Sequence, residues 1–258
     1  MAKDLREILA RLDHERRSLV RYGEVLESLP AVTRLRTIDG SRYSVIYSSL
    51  GPDTADAAIV REIEHHGGLN AGFEWKLFAH DAPMDLLERL RHYGFDIGPK
   101  EAVLVLDLSR PPMWVHERDG HRVMRVDRVE QVAVFREVAE RVFTKDYSFT
   151  AAELEAAIRD GSAEHRGYVA YAGEEPVGVG RLYTHPESAF AGLYGGGTVA
   201  AHRGRGFYRA LVAARARDAI ARGARYLQVD ALPTSRPILE RLGFEHLTDT
   251  WPCEWRPA

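Results

Sequence analysis

A strand that ends on three glycines, followed by a glycine-rich turn into a helix, constrains this chain more than any other feature. Gly195-Gly196-Gly197 close the strand. Thr198-Val199 and Ala200-Ala201-His202 follow, and Arg203-Gly204-Arg205-Gly206-Phe207-Tyr208 leads into the helix. Tyr208, Val212, Ala216, Ala219 and Ile220 recur at spacings of four and three, so they share one stripe of that helix. Its alanines let the helix lie close to a sheet. Arg217 and Arg222 complement the dipole at its C-terminal end, and Gly223 suits the cap. Such a loop leaves the backbone N–H groups of a helix N-terminus unpaired and pointing outward. With the helix dipole they form an anion site suited to phosphate or pyrophosphate. Gly204 and Gly206 keep side chains out of the way, and Arg203 and Arg205 add positive charge. A tight strand-to-helix turn with solvated arginines is the plainer reading of the same residues.

The phosphate ligand is narrowed by what the loop lacks. A Walker loop needs Gly-Lys followed by Ser or Thr, which is missing. A dinucleotide fingerprint is closer: Gly204 and Gly206 fit its first two glycines, and Asp230 ends the next strand, near where a ribose-binding acid belongs. Arg209, however, occupies the place of the third small residue. The loop also follows an antiparallel meander rather than the first strand of a parallel sheet.

Along the rest of the chain, periodicity predicts a helix from Leu5 to Leu29, stopped by Pro30. Strands at 34–38 and 42–47 flank Asp39-Gly40, read as a type I′ hairpin turn. A helix at 56–66 ends at Gly67-Gly68. A strand at 73–78, a helix at 85–92 closed by Gly94-Phe95, and an apolar strand at 102–108 follow. Pro111-Pro112 is the best boundary, because tandem prolines remove two donors and fix φ. Beyond it come an Asp119-Gly120 turn, a strand at 122–126, helices at 129–143 and 151–159, and a meander at 167–172, 177–183 and 190–199. A helix at 208–222, a strand at 225–231 and a short helix at 235–242 complete the pattern. The order helix, strand, helix, Gly-Phe, strand occurs at 56–108 and again at 208–255. Both short helices carry Leu-Glu-Arg-Leu, which suggests a degenerate internal duplication, with coincidence as the alternative.

With these pieces in place, the sequence resembles the GNAT acetyltransferase superfamily. That family's pyrophosphate loop reads Arg or Gln, two residues, Gly, one residue, then Gly or Ala. Arg203 and Gly206 match, and Tyr208 replaces the final small residue. The strand carrying Val199, the alanine-rich helix, the strand 226–231 and the terminal Leu242-Gly243-Phe244 fall in family order, over about residues 123–244. The resemblance implies an α/β (α+β) fold, with a mixed, mostly antiparallel sheet flanked by helices. It divides the chain into residues 1–112, a truncated GNAT-like half without a cofactor motif, and 113–258, the acetyltransferase domain. It also implies acyl-CoA-dependent transfer of an acetyl group to an amine by direct attack. Acetyl-CoA is then the cosubstrate and no metal is needed. The pantetheine arm would pair with Gly197, Thr198 and Val199. The loop from Arg203 through Gly204, Arg205, Gly206, Phe207 and Tyr208 to Arg209 would hold the pyrophosphate.

The pattern departs from the family at Leu239, where many members carry a Tyr that protonates the leaving thiolate; Leu239 would pack against the cofactor instead. A thiol of pKa about 8.5 is already a tolerable leaving group. Tyr208 is a substitute acid only if its stripe position does not turn it into the core. The attacking amine must lose a proton. Asp230 and Tyr183 are the candidate bases, with His185 and Glu187 in a predicted turn. Glu74-Trp75-Lys76 lies on a strand that could border a cleft. His116-Glu117 and His121 miss zinc spacing. Cys253 is the single cysteine and has no activating partner, so it reads as packed. Lys plus Arg is 35 and Asp plus Glu 38 in 258 residues, a formal charge of -3. That argues against a general nucleic-acid or anionic-membrane partner. The charged start, Met1-Ala-Lys-Asp4, and the lack of a long apolar run predict a cytoplasmic protein with an unidentified amine acceptor. The rival readings are a CoA-binding regulatory module and a dinucleotide-binding oxidoreductase.

Overall fold

A computed structural model describes residues 4–117 and 120–257. The first three residues and Asp119 of the expected Asp119-Gly120 turn lie outside them. In chain order the elements are α1 (Leu5–Ser18), β1 (Glu24–Ser28), β2 (Val32–Thr37), β3 (Tyr43–Ser48), α2 (Ala55–Gly68), β4 (Phe73–Phe78), α3 (Leu86–His92), β5 (Asp96–Ile97) and β6 (Glu101–Asp107). There follow β7 (Arg122–Val126), α4 (Val132–Phe143), α5 (Ser148–Arg159), β8 (His165–Ala172), β9 (Glu175–Tyr183), β10 (Phe190–Thr198), α6 (Phe207–Ala221), β11 (Tyr226–Ala231), α7 (Arg236–Arg241) and β12 (Glu245–Trp255). They gather into two compact units. Unit 1 is Met1–Leu104 with Asp230–Arg241 and Glu245–Ala258, and unit 2 is Val105–Val229 with Leu242–Phe244.

In unit 1, β1, β2 and β3 form an antiparallel meander, β3 runs parallel to β4, and β12 pairs antiparallel with β4. The period-two burial of β4 puts Phe73, Trp75 and Leu77 into the core and Glu74 and Lys76 on the other face. Trp75 is completely buried with Ile59, Leu90, Val45 and Cys253 around one core. Cys253 stands opposite Trp75 on β12. The C-terminal strand thus completes the sheet of the N-terminal residues. The division at Pro111-Pro112 assigns it to the second half of the sequence.

Two local expectations are corrected here. The helix from Leu5 stops at Ser18, where Leu19 turns extended, and 24–28 form β1. Gly23, at φ +80, takes a left-handed conformation that reverses the chain, and five register pairs with β2 outweigh helix propensity. The Asp39-Gly40 hairpin has a positive φ only at Gly40, so it is not type I′. It is a longer loop in which the Asp39 carboxylate accepts from the Ser41 amide and hydroxyl. Thr54, a potential cap for α2, makes no side-chain cap bond. Its hydroxyl accepts from the Gly51 amide instead.

In unit 2, β7, β8, β9 and β10 form an antiparallel meander. β11 lies parallel beside β10, and the Leu108 amide donates to the Arg225 carbonyl at 2.8 Å. The two faces of this sheet are marked by glycines that admit large neighbours. A Cβ on Gly178 would meet Leu211 of α6, and one on Gly180 would meet Arg215 of the same helix. A Cβ on Gly167 would meet Leu154 of α5 and Phe135 of α4, and one on Gly197 would meet Val142 and Phe143 of α4. Successive residues of a strand point to opposite faces. Gly196 faces Arg215 and Gly197 faces Val142, so α6 covers one face and α4 and α5 the other.

Candidate acyl-CoA site

β10 is irregular where the glycines lie. Its pairing with β9 shifts register between Tyr194 and Gly197, the mark of a bulge. Gly195 takes φ +51, a left-handed value open to glycine without penalty. Pairing with β11 covers Phe190–Gly192 only, although β10 runs on to Thr198. The edge of residues 193–198 turned away from β9 therefore offers its peptide groups to whatever extended chain lies beside it.

The loop after β10 holds the shape that the sequence suggests. Val199 donates to the Val177 carbonyl, a single 3₁₀ turn covers Ala200–His202, and Gly204 and Gly206 stand at φ +74 and +89. Gly206 is the N-cap of α6 and provides no side-chain cap. The first intrahelical bond is Ala210 to Gly206, so among the described residues the amides of Gly204 to Arg209 have no protein acceptor. Residues 203–206 are exposed. The Arg203 guanidinium donates through Nε to the Thr198 carbonyl, which ties the loop to the strand end. His121 donates through Nε2 to the Arg205 carbonyl at 2.8 Å, and its ring meets Phe207 edge-on. His121, from β7's approach, was invisible to local reading because its partner lies 84 residues away. The Tyr208 ring is mostly buried, and burial raises its hydroxyl pKa while Arg215 opposes the rise.

Thus Gly197, Thr198, Val199 and 203–209 come together in unit 2. Tyr183 belongs to the same unit on β9. It stacks on His165 (centroids 4.2 Å apart), meets Tyr194 edge-on, and its hydroxyl accepts from Arg181 Nη1 at 3.1 Å. His185 and Glu187 form a turn closed on itself, with the Glu187 amide donating to His185 Nδ1. Asp230 and Leu239 belong to unit 1. Leu239 is completely buried. Asp230 is ion-paired with Lys76 at 3.1 Å, and Lys76 also donates to Glu101 at 2.9 Å. Burial alone would lower the Lys76 pKa, but Asp230, Glu101 and Glu74 outweigh it and hold the ammonium charged. Burial pushes the neighbouring Glu74 carboxyl up, with Lys76 opposing. The Cys253 thiol is buried and pushed up to about 12, by burial first and by Glu74 second, which leaves it protonated and inert.

Two arginines escaped the sequence reading altogether. Arg215 of α6 is 1% exposed, and Arg181 of β9 lies on the opposite face beside Gly195. The only sequence signal for Arg215 was indirect: Gly180 and Gly196 are small where strands usually carry bulk.

Residues 132–244 match the profile of the acetyltransferase (GNAT) family. Three solved structures share the fold at low identity. One is described as a functionally unknown conserved protein from Staphylococcus epidermidis, with 14% identity, TM-score 0.68, and coverage of 93% of this chain and 96% of that one. A GCN5-related N-acetyltransferase from Kribbella flavida aligns at 18% identity and TM-score 0.64, covering 98% and 94%. A tandem GNAT protein from the clavulanic acid biosynthesis pathway aligns at 14% and 0.58, covering 92% and 85%. No curated protein sequence matches the chain. Among the described residues, no group of His, Cys, Asp and Glu is arranged to hold a metal, and no helix is long and apolar enough to cross a membrane.

Proposed function

We propose that the protein is an acyl-CoA-dependent N-acyltransferase with one cofactor site per chain, built on the 203–209 loop and the open edge of β10. The observation that carries this reading is the pairing of two features in one unit. A run of unpaired amides at the N-terminus of α6 suits a pyrophosphate, and an unpaired strand edge begins where that loop ends. In this reading the pantetheine arm lies along Gly197–Val199, and the first 112 residues are a degenerate copy of the same fold that retains no cofactor loop.

The chemistry follows from the groups present. A deprotonated amine attacks the thioester carbonyl carbon, and the carbonyl oxygen gains the negative charge. Backbone N–H groups on the open edge near Val199 stabilise that oxyanion. The C–S bond then breaks, and the thiolate leaves and takes a proton from water. A thiol pKa of about 8.5 makes a leaving group that needs no protein acid. Tyr183, in the same unit as the loop, is the proposed proton acceptor for the amine. Acetyl-CoA is the family's usual donor, and the acceptor is a primary amine.

Incubation with acetyl-CoA and a library of primary amines tests this reading, with free thiol released as the readout. Release that depends on a particular amine is the expected result. CoA binding with no release from any amine would instead favour a regulatory CoA-binding module, the reading to which the missing Tyr at Leu239 points. Stabilisation by NAD(P) but not by CoA would overturn both.

A further inference from the structure

The bulge of β10 is gripped from both faces by arginines that, among the described residues, have no acid to neutralise them. Arg215 comes from the third turn of α6. Its Nε donates to the Leu211 carbonyl at 3.0 Å and its Nη1 to the Arg181 carbonyl at 3.2 Å. The second bond falls where the β9–β10 ladder slips, so it holds the bulge in place. Nη2 is buried and has no hydrogen-bond partner. It lies 3.0 Å from where a Cβ on Gly196 would stand, and Tyr208 borders the same spot. On the other face the Arg181 guanidinium stands beside Gly195 with its Nε also unpaired. Among the described residues neither arginine forms a salt bridge. Guanidinium groups stay protonated, so two cations sit against a three-glycine stretch with no counter-ion.

A buried guanidinium whose Nη2 has no acceptor, and which has no counter-ion among the described residues, is costly unless something accepts from that nitrogen. Gly196 is the residue whose missing side chain leaves room for Nη2 beside the bulge. In the proposed site the acyl group extends beyond the pantetheine arm, past Gly197 toward that bulge. We propose that Arg215 selects the acyl group: the donor is the CoA thioester of a short dicarboxylic acid, and the free carboxylate pairs with Nη2 beneath Gly196, with Arg181 adding charge from the opposite face. The assignment rests on the CoA reading above and narrows it from acetyl to malonyl- or succinyl-sized acyl groups. Arg215 is then a specificity-determining residue rather than a reacting one.

Calorimetric titration of the full chain with CoA, butyryl-CoA and succinyl-CoA tests it. Butyryl-CoA matches the succinyl chain in length and lacks only the charge. Wild-type protein should bind succinyl-CoA roughly 10- to 100-fold more tightly than butyryl-CoA, the range of a hydrogen bond to a charged group. Arg215→Met should bring that ratio close to one. Gly196→Ala, which presses a methyl group against Nη2 while leaving the charge in place, should do the same and covers the case in which Arg215→Met does not fold. Equal binding of the two thioesters by a wild-type protein that binds CoA would overturn the acyl assignment alone. So would a preference that survives in either folded variant. A wild-type protein that binds no CoA would remove the underlying reading as well.

Discussion

Gly206→Val should reduce CoA affinity by at least about 100-fold while leaving the protein folded. Gly206 sits at φ +89, and a β-branched side chain there costs on the order of 1–2 kcal/mol in backbone strain alone. Its Cβ would approach His121 Cε1 to 3.0 Å, which disturbs the bond that anchors the Arg205 carbonyl. The added methyl groups would also stand over the amides that the pyrophosphate needs. Because the loop is exposed, these costs stay local. Gly204→Ala separates the causes: a Cβ there meets nothing within 4 Å, so only the φ +74 strain remains, and a smaller loss is expected. Titration of both variants with CoA checks the order. Wild-type affinity in a folded Gly206→Val would refute the role of the loop.

Much of this site was legible because local rules act within it. Glycine spacing, helix periodicity and the Arg203–Gly206 spacing are all contained in a few turns of chain. Reading failed where distant partners decide. Residues 24–28 carry no signal that separates them from the end of a helix; their register with β2 makes them a strand. Arg215 was not among the residues read into the stripe, yet Gly180 and Gly196, on two different strands, make a buried place for it. Nothing local in 245–255 specifies that it should complete the sheet beside β4. The His121 anchor and the Arg181 carbonyl bond are likewise long-range contacts.

Asp218→Ala carries the second large expected effect, on stability. Asp218 accepts a 2.5 Å hydrogen bond from the mostly buried Tyr168 hydroxyl and a 3.2 Å bond from Arg222 Nε. Arg125 and Arg166 approach it at 3.6 and 3.8 Å. Removing the carboxylate strands the Tyr168 hydroxyl away from water and, among the described residues, leaves Arg222, Arg125 and Arg166 with Asp127 alone, which reaches only the last two. A loss of about 2–4 kcal/mol follows from the unsatisfied donor and the broken ion-pair cluster. Burial would raise the Asp218 pKa, but the Tyr168 hydroxyl and the arginines outweigh it and hold the carboxyl below its usual range. A depressed folded-state pKa contributes stability above the unfolded value of about 3.9 and loses it as pH falls through the folded value. Denaturant unfolding from pH 7 to pH 2 should therefore show the variant's deficit largest at neutral pH and shrinking below about pH 4. A deficit that is constant across that range would mean that Asp218 acts by packing rather than charge.

The central claim is that one loop in one unit holds CoA, and calorimetric titration of the intact chain with CoA tests it most directly. The N-terminal half has a helix in the corresponding place, α2. The chain ahead of it is Gly51-Pro52-Asp53-Thr54, with no glycine pair and no arginine pair. Three amides there already have partners: the Gly51 amide donates to the Thr54 hydroxyl, and the Thr54 and Ala55 amides donate to the Gly51 carbonyl. The Thr54 side chain does not cap α2, yet the segment still closes on itself and offers a pyrophosphate little. The account predicts a single binding event with one CoA per chain. Two events of comparable affinity, or none, would contradict it.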